Sequence, residues 1–176
     1  MKGVKVVGSR RRRAPHDCTF GYSFQDLLQP IEAPLRDLCW ALQGTQVFVA
    51  EADGVALPDE DALEAMFDLA PGLPAPREPE VALWDVAWLK PGCLERLAPL
   101  IVGDWTDIVG VLHPPAWSRA SVRPDDNSWL EQNASVYFAC IDAAFWEVYA
   151  QDERILERLA LAFPASEGRV LKDKDY

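Results

Sequence analysis

Two carboxylates, Asp142 and Glu147, stand among aromatic and aliphatic residues in SVYFACIDAAFWEVYAQDERILERLA, residues 135–160. Carboxylates in apolar surroundings suit general acid–base catalysis, because burial and neighbouring charge move their pKa values toward neutrality. The flanking residues argue for architecture instead. Val136, Phe138 and Cys140 alternate with Tyr137, Ala139 and Ile141, and Phe145, Glu147 and Tyr149 alternate with Trp146, Val148 and Ala150. This period of two predicts a pair of buried strands. Asp142, Ala143 and Ala144 then form a tight turn, where an Asp side chain accepts bonds from nearby backbone amides. Glu147 is expected to face solvent or to pair across the sheet.

Other reactive groups are sparse. His16 and Cys18 offer two metal ligands where a structural zinc needs four, and no cysteine pair flanks His113, the only other histidine. Cys93 follows Pro91-Gly92 at an expected helix start, a place that can lower a thiol pKa, although a small buried side chain in the first turn is the favoured reading. Asp104 and Asp107 flank Trp105, but residues three apart in a strand point to opposite faces and do not converge. Gly-rich phosphate loops, GxSxG and HExxH are all missing from the chain. No catalytic, cofactor-binding or metal-ligating residues are therefore expected. An enzyme with an unrecognised small-molecule site, around Cys93 or Asp104, remains the alternative.

The elements that would position these groups follow from pattern. Val4 to Val7 predicts a first strand. Phe24 to Leu28 and Leu35 to Leu42 predict helices, the second with Leu35, Leu38, Cys39 and Leu42 on one face and Gly44 as its C-terminal cap. TQVFVAE, 45–51, predicts a strand turned by Asp53-Gly54. PDEDALEAMFDLAPG predicts a helix presenting Leu63, Met66, Phe67 and Ala70, followed by a proline-rich connector over 73–80. VALWDVAWL, 81–89, and DWTDIVGVL, 104–112, predict strands, with a helix through Cys93, Leu94, Leu97 and Leu100 between them. Residues 113–128 form a long polar loop, a length associated with function or mobility. Asp152 caps a helix carrying Ile155, Leu156, Leu159 and Phe163, and Pro164 lies just past its end. Together these predict an α+β fold, a mainly antiparallel sheet of about five or six strands, the usual sheet size, packed against helices.

The 176 residues suit a basic N-terminal segment, 1–13, and a single globular domain, 14–176. The chain holds 17 Lys and Arg against 28 Asp and Glu, a net charge of −11. Six of the basic residues are Lys2, Lys5 and Arg10 to Arg13, so residues 14–176 hold 11 basic residues against all 28 acidic ones. Such a body repels nucleic acid and anionic lipid, and it speeds encounter with a basic partner. No stretch approaches the ~18 apolar residues of a membrane span, and the N-terminal order of charges is the reverse of a secretory signal. A cytoplasmic location is expected, with Cys18, Cys39, Cys93 and Cys140 as unpaired thiols.

Seven tryptophans are present. Trp40, Trp84, Trp88 and Trp146 lie in apolar stretches and are expected in the core. Trp117 and Trp129 lie in or beside the polar loop, near Asp125, Asp126 and Glu131. An aromatic anchor in a charged rim has the composition of an interaction hot spot, while a loop tryptophan folded over a core edge is the alternative. Trp117, Asp125, Asp126, Trp129 and Glu131 are thus the candidate partner-binding residues. The acidic run Asp59, Glu60, Asp61 and Glu64 is a second patch.

The succession VYFACID, FWEVYA, DERILERLALAF, a strand, a second strand and a helix over about 30 residues, resembles the C-terminal part of small cytosolic immunity proteins. Those proteins protect bacteria from secreted polymorphic or contact-dependent toxins. The resemblance implies a non-catalytic inhibitor that binds its cognate toxin and blocks the toxin's active site. The expected function is therefore occlusion of a basic cognate toxin. An adaptor recruited through the Arg-rich start is a further alternative, which deletion of residues 1–13 would separate.

Overall fold

Alternating apolar residues at the centre of the chain can bury both faces of a strand, so whatever forms there needs covers on two sides. The computed structural model describes residues 1–7, 22–31, 35, 37–49, 65–68, 87–89, 92–98, 101–112, 126–141 and 145–171. At 43–49, 67–68, 87–88, 97 and 101–105 it describes the backbone alone.

Among the described residues, eight strands form one sheet: β1 (Lys2–Val7), β2 (Cys39–Val49), β3 (Phe67–Asp68), β4 (Ala87–Leu89), β5 (Ile101–Val111), β6 (Val136–Ile141), β7 (Phe145–Ala150) and β8 (Glu167–Val170). Their order is β3-β4-β2-β5-β6-β7-β1-β8, and every pairing is antiparallel. Six strands run four residues or more, while β3 and β4 are short strips at one edge. Four helices accompany them: α1 (Phe24–Leu28), α2 (Leu94–Leu97), α3 (Asn127–Asn133) and α4 (Glu153–Ala162). The fold is α+β, as the sequence predicts.

The hairpin of β6 and β7 forms at the expected residues, with Val136 opposite Ala150 and Ile141 opposite Phe145. All six residues of β6 are buried. One face of the sheet carries Val4, Val6, Trp40, Ile108, Phe138, Trp146 and Val148, packed with Phe24 and Leu27 of α1 and Ile155, Leu156 and Leu159 of α4. The Phe24 ring lies 5.1 Å from Phe138, 5.6 Å from Trp146 and 6.4 Å from Trp40, centroid to centroid. Burying each such ring contributes about 1.5–3 kcal/mol. The Trp146 indole N–H, which burial would otherwise strand, donates to Tyr22 O at 2.7 Å.

Polar side chains cap the starts of α1, α3 and α4. Ser23 and Asp26 form a reciprocal capping box on α1, and Asp152 accepts from Arg154 N–H at 3.0 Å to start α4. Phe163 N–H closes α4 on Leu159 O, and Pro164 follows.

Several expectations differ from the structure. The helix expected over Leu35 to Leu42 does not run its length: Leu35 is helical, but β2 begins at Cys39, and Gly44, read as a helix cap, sits opposite Thr106 in the ladder with β5. Residues apolar on two faces satisfy both periods, and the long pairing from Cys39↔Val111 to Val49↔Ile101 decides for strand. Phe67 and Asp68 pair with Leu89 and Trp88 rather than continuing a helix, with Met66 buried beside them. The stretch read as loop to residue 128 gives way to α3 at Asn127, and β8 has no counterpart among the expected elements. The first strand, expected from Val4 to Val7, does form, as β1 over Lys2–Val7 between β7 and β8. Trp40 and Trp146 are buried as expected, and Cys39, Cys93 and Cys140 form no disulfide, Cys140 being buried and the other two partly so. Asp142, His16, Cys18, His113, Trp84 and the acidic run at 59–64 lie outside the described residues.

Gly3 in β1 is the tightest point of the sheet. A Cβ there would press into the Tyr149 ring and lie 2.7 Å from Val148 O, a backbone atom that cannot rotate away. Gly3→Ala should therefore destabilise the fold by about 1–3 kcal/mol, the usual cost of overpacking. Urea unfolding measures this, and an unchanged midpoint would contradict it.

Candidate functional site

The sheet face opposite α1 and α4 carries the polar chemistry. The registers align Asp107, Ala139, Glu147, Lys5 and Glu167 in one row across β5, β6, β7, β1 and β8. The adjacent row holds Val109, Tyr137, Tyr149, Gly3 and Arg169. Side chains in neighbouring rows on one face can reach each other, and here they do. Tyr137 OH donates to Asp107 Oδ1, and Tyr149 OH donates to Glu147 Oε2 at 2.7 Å. The two tyrosine rings stack at 5.9 Å with an interplanar angle of 17°. Arg169 Nε lies 3.6 Å from Glu147 Oε1, reaching over Gly3, and Arg169 Nη2 lies 3.7 Å from Glu167 Oε2. Lys5 Nζ sits 3.6 Å above the Phe145 ring centroid, within cation–π range.

Glu147 has no exposed surface. The expectation that it faces solvent is overturned; pairing across the sheet is what the structure shows, with the partner two strands away. Burying a carboxylate is costly unless hydrogen bonds and an opposite charge accompany it, and Tyr149 and Arg169 supply one of each. Tyr137 titrates well above the ordinary tyrosine value of about 10. Burial is the main cause, followed by the charge of Asp107 and the hydrogen bond to it. Its hydroxyl thus stays a donor throughout the neutral range.

Chemically this constellation contains an acid–base set, but Tyr137, Tyr149 and Glu147 are fully buried, and in this state no substrate atom can touch them. The arrangement orders the sheet beneath the surface, leaving Asp107 and Arg169 at its partly exposed ends. The side chain of Asp104, the other carboxylate flanking Trp105, lies outside the described residues. Cys93 is half-buried at the start of α2 and makes no side-chain capping bond there. Among the described residues no group of three or more His, Cys, Asp and Glu could hold a metal ion, and no helix is long and apolar enough to cross a membrane.

Of the candidate partner-binding residues, the structure brings Asp126, Trp129 and Glu131 together on α3; Trp117 and Asp125 lie outside the described residues. Asp126 caps the helix, its Oδ1 accepting from Ser128 N–H at 2.9 Å and Trp129 N–H at 3.1 Å. Trp129 is half-buried and packs against the second core cluster, beside Leu130 and Tyr137. Glu131 Oε1 accepts from the Met1 ammonium at 2.8 Å and keeps 39% of its side-chain surface exposed. Each residue therefore has a structural role as well as a place at the surface.

The sequence reading missed the Glu147 constellation. One available signal was the hairpin register, which puts Glu147 opposite Ala139 and next to Tyr149 on a face with few polar residues. Its cation, Arg169, comes from a strand with no sequence signature. Comparison with family models, curated proteins and solved structures finds no match to this chain.

Arg169→Met should destabilise the fold by about 3 kcal/mol, because it leaves Glu147 buried without its cation. The double variant Arg169→Met/Glu147→Gln should recover a large part of that loss, since the amide oxygen of the introduced glutamine can still accept from Tyr149. Chemical denaturation of the three proteins measures the coupling, and equal losses in the single and double variants would remove the pair from this role.

A second expectation concerns alkaline pH. The folded-state pKa of Tyr137 is raised, so its contribution to stability is complete below about pH 10 and falls as pH rises above it. Unfolding free energy should therefore decline above pH 10, and Tyr137 should ionise only with unfolding. A phenolate signal from all four tyrosines in the folded protein would contradict this.

Proposed function

We propose that this protein is a non-catalytic, immunity-type inhibitor that binds a basic cognate toxin in the cytoplasm and occludes its active site. The distribution of charge carries the reading. The described ion pairs seat Lys2 on Glu153, Arg154 on Asp152, and Arg169 on Glu147 and Glu167. The chain as a whole carries 28 acidic residues against 17 basic ones. Clefts that act on nucleic acids or nucleotides are often basic, and a negative surface both steers toward such a cleft and competes for it. The burial of the acid–base set supports binding over turnover. The resemblance of residues 135–163 to immunity proteins points the same way.

The surface we assign to the partner is α3, with Trp129 as apolar anchor and Asp126 and Glu131 as charged rim. Because Asp126 caps the helix, a charge-removing variant must preserve the cap: Asn accepts the same amide bonds as Asp. The adaptor alternative needs a different test from deletion of residues 1–13, which would remove β1 from the sheet. Replacing Arg10 to Arg13 by Ser leaves the strand intact, and the inhibitor reading expects little loss of binding.

The decisive measurement pairs the protein with a basic toxin domain encoded beside it. The expected result is a stoichiometric complex that abolishes toxin activity. Asp126→Asn/Glu131→Gln should slow association by about 10-fold at low salt while leaving the unfolding midpoint nearly unchanged. Failure to form a complex, or turnover of a metabolite by the protein alone, would overturn the reading.

A further inference from the structure

Among the described residues β8 has a strand on one side only: it pairs with β1 and ends the sheet. The register shows which of its backbone groups face outward. Leu171 N–H donates to Met1 O at 3.1 Å, so residues 1 and 171 form a hydrogen-bonded pair. In an antiparallel ladder such pairs recur at every second residue. Gly3–Arg169 and Lys5–Glu167 are the next ones, which turns the N–H and C=O of Gly168 and Val170 away from β1. A row of outward backbone groups is a template for another strand.

Side chains decide which strand fits. Glu167 and Arg169 stand on the same face, two residues apart, with Gly168 between them. Laid antiparallel against a second copy and centred on Gly168, β8 sets Glu167 of each copy opposite Arg169 of the other. The two Gly168 residues then exchange N–H···O=C bonds. Sliding the pairing by one position along the same face, in either direction, sets Arg169 against Arg169 or Glu167 against Glu167. Opposite charges directly across a pair of strands stabilise it and like charges destabilise it, so only the glycine-centred register is favourable. The strand itself is accessible, with Glu167, Gly168 and Val170 exposed and Arg169 partly so, and a Cβ at Gly168 would meet nothing within 4 Å on its face of the sheet. Apolar surface is available as well. Of the exposed large hydrophobic residues among those described, Leu161 at 81% and Val170 at 46% belong to the consecutive elements α4 and β8.

We propose that two copies of this protein pair through β8, continuing the sheet across a two-fold axis at Gly168. This surface is distinct from α3, and the proposal stands independently of the toxin reading. The contact is small beside the roughly 1,600 Å² of a standard interface, and the net negative charge of each copy opposes it, so the dimer is weak and concentration-dependent.

Sedimentation velocity on the full chain up to about 1 mM, where even a millimolar dissociation constant shows, tests this directly. The wild-type protein should shift from monomer toward dimer as concentration rises. Gly168→Pro removes an outward N–H while sparing the bonds to β1, a substitution that edge strands accept. It should raise the dimer dissociation constant by about 10-fold or more with the unfolding midpoint kept. Glu167→Arg, which sets Arg against Arg, should act in the same direction and serves if the proline variant fails to fold. A wild-type protein that stays monomeric throughout, or a dimer whose affinity neither variant lowers, overturns the proposal.

Discussion

A single buried carboxylate constrains much of this sheet. Glu147 has no contact with solvent, and removing its charge from water is tolerable only with donors in place. Tyr149 supplies one from the same strand, and Arg169 supplies the charge from two strands away. The strand between them carries Gly3, where a Cβ would meet the Tyr149 ring and Val148 O. Three strands from opposite ends of the chain are tied to one another through this arrangement. A one-residue slip of β8 against β1 would turn Arg169 to the other face and leave Glu147 with the tyrosine hydroxyl alone.

The two faces of the sheet divide the work. One is closed by apolar packing, with the Phe24 ring of α1 set against the Phe138 and Trp146 rings of the sheet. That packing is dense but tolerant of small shifts, because dispersion and hydrophobic burial have little directionality. The other face is closed by directional hydrogen bonds from Tyr137 to Asp107 and from Tyr149 to Glu147, with the Arg169 charge 3.6 Å from Glu147. Directional bonds discriminate between registers where apolar contacts do not. The residue types that first suggested catalysis are thus used in specifying the fold.

How far the sequence revealed this depends on the range of the interactions involved. The β6–β7 hairpin, α1 and α4 were legible because each is fixed by residues close in sequence: alternation, the Ser23 capping box, Asp152 and Pro164. The start of β2 was not, since Trp40 and Leu42 fit a helix face as well as a strand, and the deciding partner, β5, lies about 60 residues on. The strand β8 was invisible for a related reason. EGRV has no alternation of apolar and polar residues, and it becomes a strand because Arg169 meets Glu147 and Leu171 meets Met1. Of the expected site, the acidic and aromatic character of α3 was legible. Its structural duties were not, because capping by Asp126 and the tie from Glu131 to Met1 depend on where the helix begins and what lies against it.

Those duties bear on how the protein would bind. Ordering a flexible surface at the moment of association costs affinity, roughly 0.5–1.5 kcal/mol for each long side chain immobilised. The helix α3 is already ordered: Leu130 is sunk in the core, Asn127 Nδ2 donates to Leu171 O at 3.2 Å, and Glu131 holds the Met1 ammonium. Asn133 Nδ2 adds a bond to Trp129 O within the helix. These ties connect α3 to both ends of the described chain, next to the β1–β8 pair that Glu147 and Arg169 secure. The polar network inside the sheet and the acidic helix outside it are in this way parts of one mechanical unit. A surface held this firmly has little left to reorganise when a partner meets it.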